Sequence, residues 1–138
     1  MGATRIGWHK LGDNGGGVIE YTGYLAFRDG FLGILDPALY TDEWLDGMVW
    51  AGFYRCISND QAALLYEIKQ YPTGLKELHF VAAAGDLAVI IEELRPKAEE
   101  YAKSMNCSLV SVQSRPGWVR ALKPHDYEQH QIILRKEI

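Results

Sequence analysis

The sequence predicts a mixed α/β (α+β) domain, with a mostly antiparallel sheet, a central parallel strand pair and flanking helices. Three observations carry this. Residues 53 to 84 read as three consecutive strands separated by the polar turns Ser58-Asn59-Asp60 and Tyr71-Pro72-Thr73-Gly74, the pattern of an antiparallel meander. The apolar run from Leu78 to Ala84 ends at Gly85-Asp86 and passes directly into a helical pattern. That helix is followed by Cys107 to Val112, again β-competent, and a helical crossover returns the chain in the same direction, so these two strands run parallel.

Taken in order, residues 1 to 35 are glycine-rich with scattered aromatics and are expected to form an N-terminal arm, ahead of a domain from 36 to 138. Within the arm, Val18 to Phe27 carries β-branched and aromatic residues and reads as a strand or as an extended segment that packs on another subunit. The Gly15-Gly16-Gly17 run lacks the Lys-Ser or Lys-Thr of a phosphate loop and is read as a flexible loop. Thr41-Asp42-Glu43 supplies a cap and two first-turn carboxylates for a short helix to about Val49, with Trp44, Leu45 and Met48 on its apolar face. Strands follow at Phe53 to Ile57, Ala62 to Tyr71 and Lys76 to Ala84.

Asp86 caps the long helix, along which Leu87, Ile90, Ile91, Leu94, Ala98, Tyr101, Ala102 and Met105 recur at helical spacing. Pro96 is expected to kink it near Arg95, and Asn106 to end it in a left-handed conformation. Pro116-Gly117 opens a short helix from Trp118 to Leu122, and Tyr127 to Lys136 alternates as a last strand.

Composition excludes several classes. With 138 residues, 48% of them hydrophobic, the chain is long enough for one domain with a real core but not for two domains. A formal charge of −4 argues against nucleic acid as a partner, because phosphate-backbone binding needs a concentrated basic surface. Cys56 and Cys107 stand alone, with no spacing that suggests zinc or a disulfide. No stretch approaches the ~20 apolar residues of a membrane span and the first residues lack a secretion signal, so a cytoplasmic location is expected.

The segment Arg115-Pro116-Gly117-Trp118-Val119-Arg120-Ala121-Leu122, followed by Asp126-Tyr127 and Ile132-Ile133-Leu134-Arg135-Lys136, resembles the end of small acetyltransferase-like proteins of bacteriophages and their hosts. The element order from about residue 48 onward resembles the acyl-CoA N-acyltransferase (GNAT) fold. The resemblance implies acetyl-CoA as cofactor, held in the gap beside the fourth strand and at the long helix's N-terminus by Val81, Ala82, Ala83, Ala84, Gly85, Asp86 and Leu87. A helix N-terminus suits a pyrophosphate, since it offers free N–H groups and the positive end of a dipole. Acetyl transfer to an amine needs a base, and the candidates are Glu77 and His79, which alternate onto one face with Val81. Tyr127 is the candidate acid for the departing thiolate, although it matches the aromatic of the family's Gly-Phe pair.

Two functional readings follow. One is an acetyl-CoA-dependent N-acyltransferase with an atypical cofactor loop. The other is an inactive GNAT-fold component of a bacteriophage virion or another assembly, joined to protein partners or to itself through the N-terminal arm. The second draws on the loop's single glycine and lack of a basic residue, and on the absence of a tyrosine at Leu122 or Lys123.

Overall fold

A computed structural model describes the backbone from Gly16 to Ile138, with side chains from Tyr21 onward. Helix α1 (Gly16–Ile34) is followed by α2 (Asp42–Trp50), then strands β1 (Arg55–Ser58), β2 (Ala62–Gln70) and β3 (Lys76–Gly85). A continuous helical stretch comes next, made of α3 (Leu87–Val89), a π-helical turn (Ile90–Leu94) and α4 (Arg95–Ser104). Strand β4 (Leu109–Val112), helix α5 (Gly117–Leu122) and a 3-10 turn (Lys123–His125) complete the regular structure.

The four strands lie in sequence order in one sheet, β1, β2 and β3 antiparallel and β4 parallel to β3. The predicted mixed α/β class and the parallel pair are therefore present, with the pair at one edge of the sheet. The meander turns as expected at Asn59, whose side-chain Oδ1 accepts from the amides of Gln61 at 2.8 Å and Ala62 at 3.0 Å.

Each sheet face carries its own core. On one face, Tyr24 and Phe31 of α1 and Leu45 and Val49 of α2 pack on Cys56, Ala63, Leu65, Ala82 and Ala84. On the other, Val89, Ile90, Leu94, Ala98 and Ala102 of the long helix pack on Leu64, Tyr66, Leu78 and Phe80.

The segment Val18 to Phe27 is neither strand nor extended arm but lies within α1. Its glycines have a packing role, not a breaking one. A Cβ on Gly23 would lie 2.2 Å from Ser58 Oγ, and one on Gly30 would lie 2.8 Å from Ala84 Cβ, so α1 rests its backbone directly on the sheet. Tyr24 and Phe31 are fully buried, which takes this helix out of any arm free to lie across a neighbour. Residues 1–15 lie outside the described residues. Helix α1 is tied to α2 through Asp46, which accepts from Tyr24 Oη at 2.6 Å and from Arg28 Nε and Nη2 at 2.8 and 2.9 Å.

The short helix starts at its predicted cap, with Trp44 N donating to Thr41 Oγ1 at 3.1 Å. Ahead of Pro96 the long helix widens into a π-helical turn and continues without a break. In the π turn the Arg95 amide donates to Ile90 O, five residues back. The next carbonyl, Ile91 O, would look to residue 96, which has no N–H, and Arg95 Nε takes that place at 2.9 Å. Asn106 ends the helix at φ 62°, in the left-handed conformation expected of it.

The last predicted strand does not form. From Tyr127 onward the chain joins no ladder, and Ile132, Ile133 and Leu134 are exposed. Alternation supplies a strand-like face, but a strand exists only when its amides and carbonyls have a partner. Among the described residues no helix is long and apolar enough to cross a membrane.

Candidate active site

The candidate site lies where the pairing of β3 with β4 ends. Their parallel register runs from Glu77 opposite Leu109 to Phe80 opposite Val112 and stops there, while β3 continues to Gly85. On its other side β3 is irregular at the same height. Leu65 of β2 faces Ala82 and Tyr66 faces Phe80, which leaves Val81 as an extra residue, a β-bulge. Val81 thus has no register partner on β2 or on β4. Bulges of this kind re-aim backbone and side chains beside binding sites.

The bulge also changes the strand's parity. Leu78 and Phe80 face the long helix, whereas Val81, Ala82 and Ala84 all pack toward α1 and α2. Glu77 and His79, alternating with Leu78 and Phe80, lie on the same face as Ala82 and Ala84.

Glu77 is buried and is held by two hydroxyls. Tyr71 Oη donates to Glu77 Oε1 at 2.7 Å, and Ser111 Oγ donates to Glu77 Oε2. His79 Nδ1 lies 2.9 Å from the same Ser111 oxygen. The carboxylate accepts only, so the serine's single proton is committed to Glu77, and the His79 contact requires the proton on Nδ1. That tautomer leaves Nε2 with its lone pair, the form a general base needs.

Charge and burial support the assignment. Burial lowers the His79 pKa, with the Lys69 charge adding to that effect and the Glu77 carboxylate opposing it, so the ring is neutral at pH 7. Burial by itself would raise the Glu77 carboxyl, but hydrogen bonds from Ser111 and Tyr71, with the charges of Lys69 and His79, hold it below the ordinary range. Glu67, opposite His79 across β2, is pushed up by burial.

The cofactor loop predicted at Val81 to Leu87 begins just beyond the last residue of β3 that pairs with β4. Gly85 sits at φ +100°, and a Cβ there would lie 2.3 Å from Gln61 O and 2.7 Å from Ala62 Cα, so only glycine makes the turn into the helix. Asp86 caps that helix, its Oδ1 accepting from Val89 N at 3.1 Å. Residues 85 to 88 are exposed, and among the described residues the Leu87 and Ala88 amides have no hydrogen-bond partner. Two free amides at a helix start fit an anionic group such as a pyrophosphate, and the Asp86 carboxylate is turned to its capping bond.

Tyr127 stands elsewhere. It packs with the core on the long-helix face, and its hydroxyl donates to Glu99 Oε2 at 2.7 Å, while Arg95 Nη1 donates to the same oxygen at 2.8 Å. Burial, followed by the Glu99 contact, raises its pKa. The structure therefore brings Glu77 and His79 together, adds Ser111 and Tyr71 to them, and places Tyr127 apart. No group of three or more potential metal ligands exists among the described residues.

These features define a mixed α/β domain in which the pairing of two parallel strands ends short of a helix start, with an acid–hydroxyl–imidazole chain at the last paired residues. The fold is that of the GNAT acetyltransferases. A ribosomal-protein-alanine N-acetyltransferase from Brucella melitensis biovar Abortus 2308 is similar at a TM-score of 0.58 with 11% identity, over 86% of this chain and 95% of that one. Glucosamine-6-phosphate N-acetyltransferase from Arabidopsis thaliana is similar at 0.56 with 15% identity, over 87% and 92%. A predicted acetyltransferase with acetyl-CoA from Clostridium acetobutylicum is similar at 0.56 with 11% identity, over 89% and 90%. No family model matches the sequence, and no curated protein matches it.

Proposed function

We propose that this chain is an acetyl-CoA-dependent N-acyltransferase in which His79 is the general base. The observation that carries the proposal is the Glu77–Ser111–His79 chain, anchored one register pair before the β3–β4 pairing ends. Support also comes from the fold shared with N-acetyltransferases of stated activity.

The residues divide the work. His79 Nε2 accepts a proton from an acceptor ammonium, and Glu77, acting through Ser111, steadies the imidazolium that results. The backbone at Val81, skipped by the β2 register at the bulge and lying past the end of the β4 register, offers a dipole to a developing oxyanion. The Leu87 and Ala88 amides hold the pyrophosphate. Acetyl-CoA, when bound, supplies a thioester whose C–S bond breaks as the new N–C bond forms. Of the two protons the ammonium gives up, the first passes to His79 and on to water, and the second leaves with the thiolate. Tyr127 has no part in this scheme, its hydroxyl being engaged by Glu99.

Calorimetry with acetyl-CoA tests binding, and thiol release in the presence of a panel of amines tests transfer. His79→Gln is expected to lower kcat about 10²- to 10⁴-fold while leaving acetyl-CoA affinity unchanged. Absence of any binding heat or thermal shift with saturating acetyl-CoA would overturn the proposal.

A further inference from the structure

We infer that the acyl acceptor carries a second cationic group, held by Glu67 against an aromatic wall of Tyr54, Trp44 and Tyr40, so that the substrate class is a short alkyl diamine or polyamine. The inference rests on the acyltransferase reading and extends it to the acceptor. Strand register places the parts in one row. Glu67 of β2 pairs with His79 of β3, and His79 pairs with Ser111 of β4. Tyr54 directly precedes β1, whose first residue, Arg55, pairs with Tyr66, so Tyr54 continues the row beyond Glu67. Ala63 and Leu65 turn the odd-numbered residues of β2 toward α1 and α2, the side that Glu77 and His79 also occupy. Neighbouring strands lie about 5 Å apart, which puts Glu67 about 5 Å and Tyr54 about 10 Å along the row from His79. That is the reach of a short chain with an amine at each end.

Two polar groups in the row lack partners. Among the described residues the half-buried Glu67 carboxylate makes no hydrogen bond and no ion pair. The Tyr54 hydroxyl makes no hydrogen bond either, although Tyr54 is only 9% exposed. Its phenol is pushed up to about 12, by burial first and then by the neighbouring Glu67 and Tyr40, which brings these three side chains together. Buried polar groups are ordinarily paired, and a carboxylate beside a phenol oxygen is completed by a ligand that brings N–H donors.

The wall beside them is open to solvent. Trp44 of α2 meets the Tyr54 ring edge-on at 5.7 Å, and Tyr40 lies against Trp44 at 5.0 Å, with Tyr40 39% and Trp44 37% exposed. Electron-rich rings around a carboxylate are the composition that recognises an ammonium group. An anionic substituent on the acceptor would meet Glu67 and Glu77 instead.

Thiol release from acetyl-CoA and calorimetry on the full chain test this, with putrescine, spermidine and the monoamine butylamine as probes. KM for putrescine and spermidine is expected to lie about 10- to 100-fold below that for butylamine. Glu67→Gln and, separately, Trp44→Leu should each raise the diamine KM and leave the butylamine KM where it is, and Glu67→Asp should restore part of the preference. Equal KM for diamine and monoamine, or a diamine affinity that Glu67→Gln leaves unchanged, overturns the inference and leaves the acyltransferase reading standing. Diamine binding that Glu67→Gln abolishes, without thiol release from any amine, supports the cation site and overturns the acyltransferase reading alone. No binding of either diamine overturns the inference whatever the transfer assay shows.

Discussion

Replacing Glu77 by Gln removes a charge without removing volume, and the structure fixes what should follow. The carboxylate accepts from Tyr71 and Ser111, and hydrogen bonds to a charged group contribute about 1.5 to 3 kcal/mol each against about 0.5 to 1.5 for neutral pairs. The exchange therefore loses about 2 kcal/mol. Relief from burying a charge returns part of this, leaving a net destabilisation of about 1 to 2 kcal/mol at pH 7. The pH dependence is the sharper test. Glu77 titrates below its ordinary 4.5 when folded, so its stabilisation is complete above about pH 4.5 and disappears as pH falls through the folded value. Urea unfolding of both proteins from pH 7 to pH 3 should show a gap that closes at the acid end. His79 adds a separate slope at higher pH. Its folded pKa lies below 6.5, so the unfolded chain binds the extra proton and stability declines as pH falls from about 6.5. His79→Gln should remove that slope. A gap between wild type and Glu77→Gln that is the same at pH 7 and pH 3 would show that the carboxylate is not held as described.

Three further outcomes are expected. Gly85→Ala should destabilise the fold by more than about 2 kcal/mol, from positive φ strain plus the 2.3 Å approach to Gln61 O; a change under about 0.5 kcal/mol in urea unfolding would refute the tight turn. Tyr24→Phe should cost about 1 to 3 kcal/mol, because the buried hydroxyl donates to Asp46 at 2.6 Å, and an unchanged unfolding midpoint would remove that tie between α1 and α2. Leu94→Ala, at a fully buried position in the π turn, should cost about 2 to 5 kcal/mol by denaturation, and a loss under about 1 kcal/mol would mean the turn closes over the cavity.

The meander, the Asp86 cap and the Asn106 stop were legible because each rests on local chemistry: turn residues, a capping side chain, a tolerated left-handed φ. Helix α1 was not, since Gly23 and Gly30 look like helix breakers until the sheet they press against is known. The final strand is not formed because its alternating pattern supplies a face but no backbone pairing, and the segment joins no ladder. At the site, Glu77 and His79 stood out as ionisable residues in an apolar run. Ser111 and Tyr71 did not, because their roles depend on parallel register and on a turn folding back six residues. A polar hydroxyl inside the run Leu109-Val110-Ser111-Val112 was the available signal.

The extra residue in β3 has a consequence for how the strand tolerates change. With Val81 excised, Phe80 and Ala82 would become neighbours facing Tyr66 and Leu65, which are themselves neighbours, and the two-strand ladder would run without interruption. Every remaining side chain would keep the side it now occupies. The pairing pattern does not depend on this residue, so under the proposed function its loss removes the unpaired backbone at the site while leaving the two strands in register.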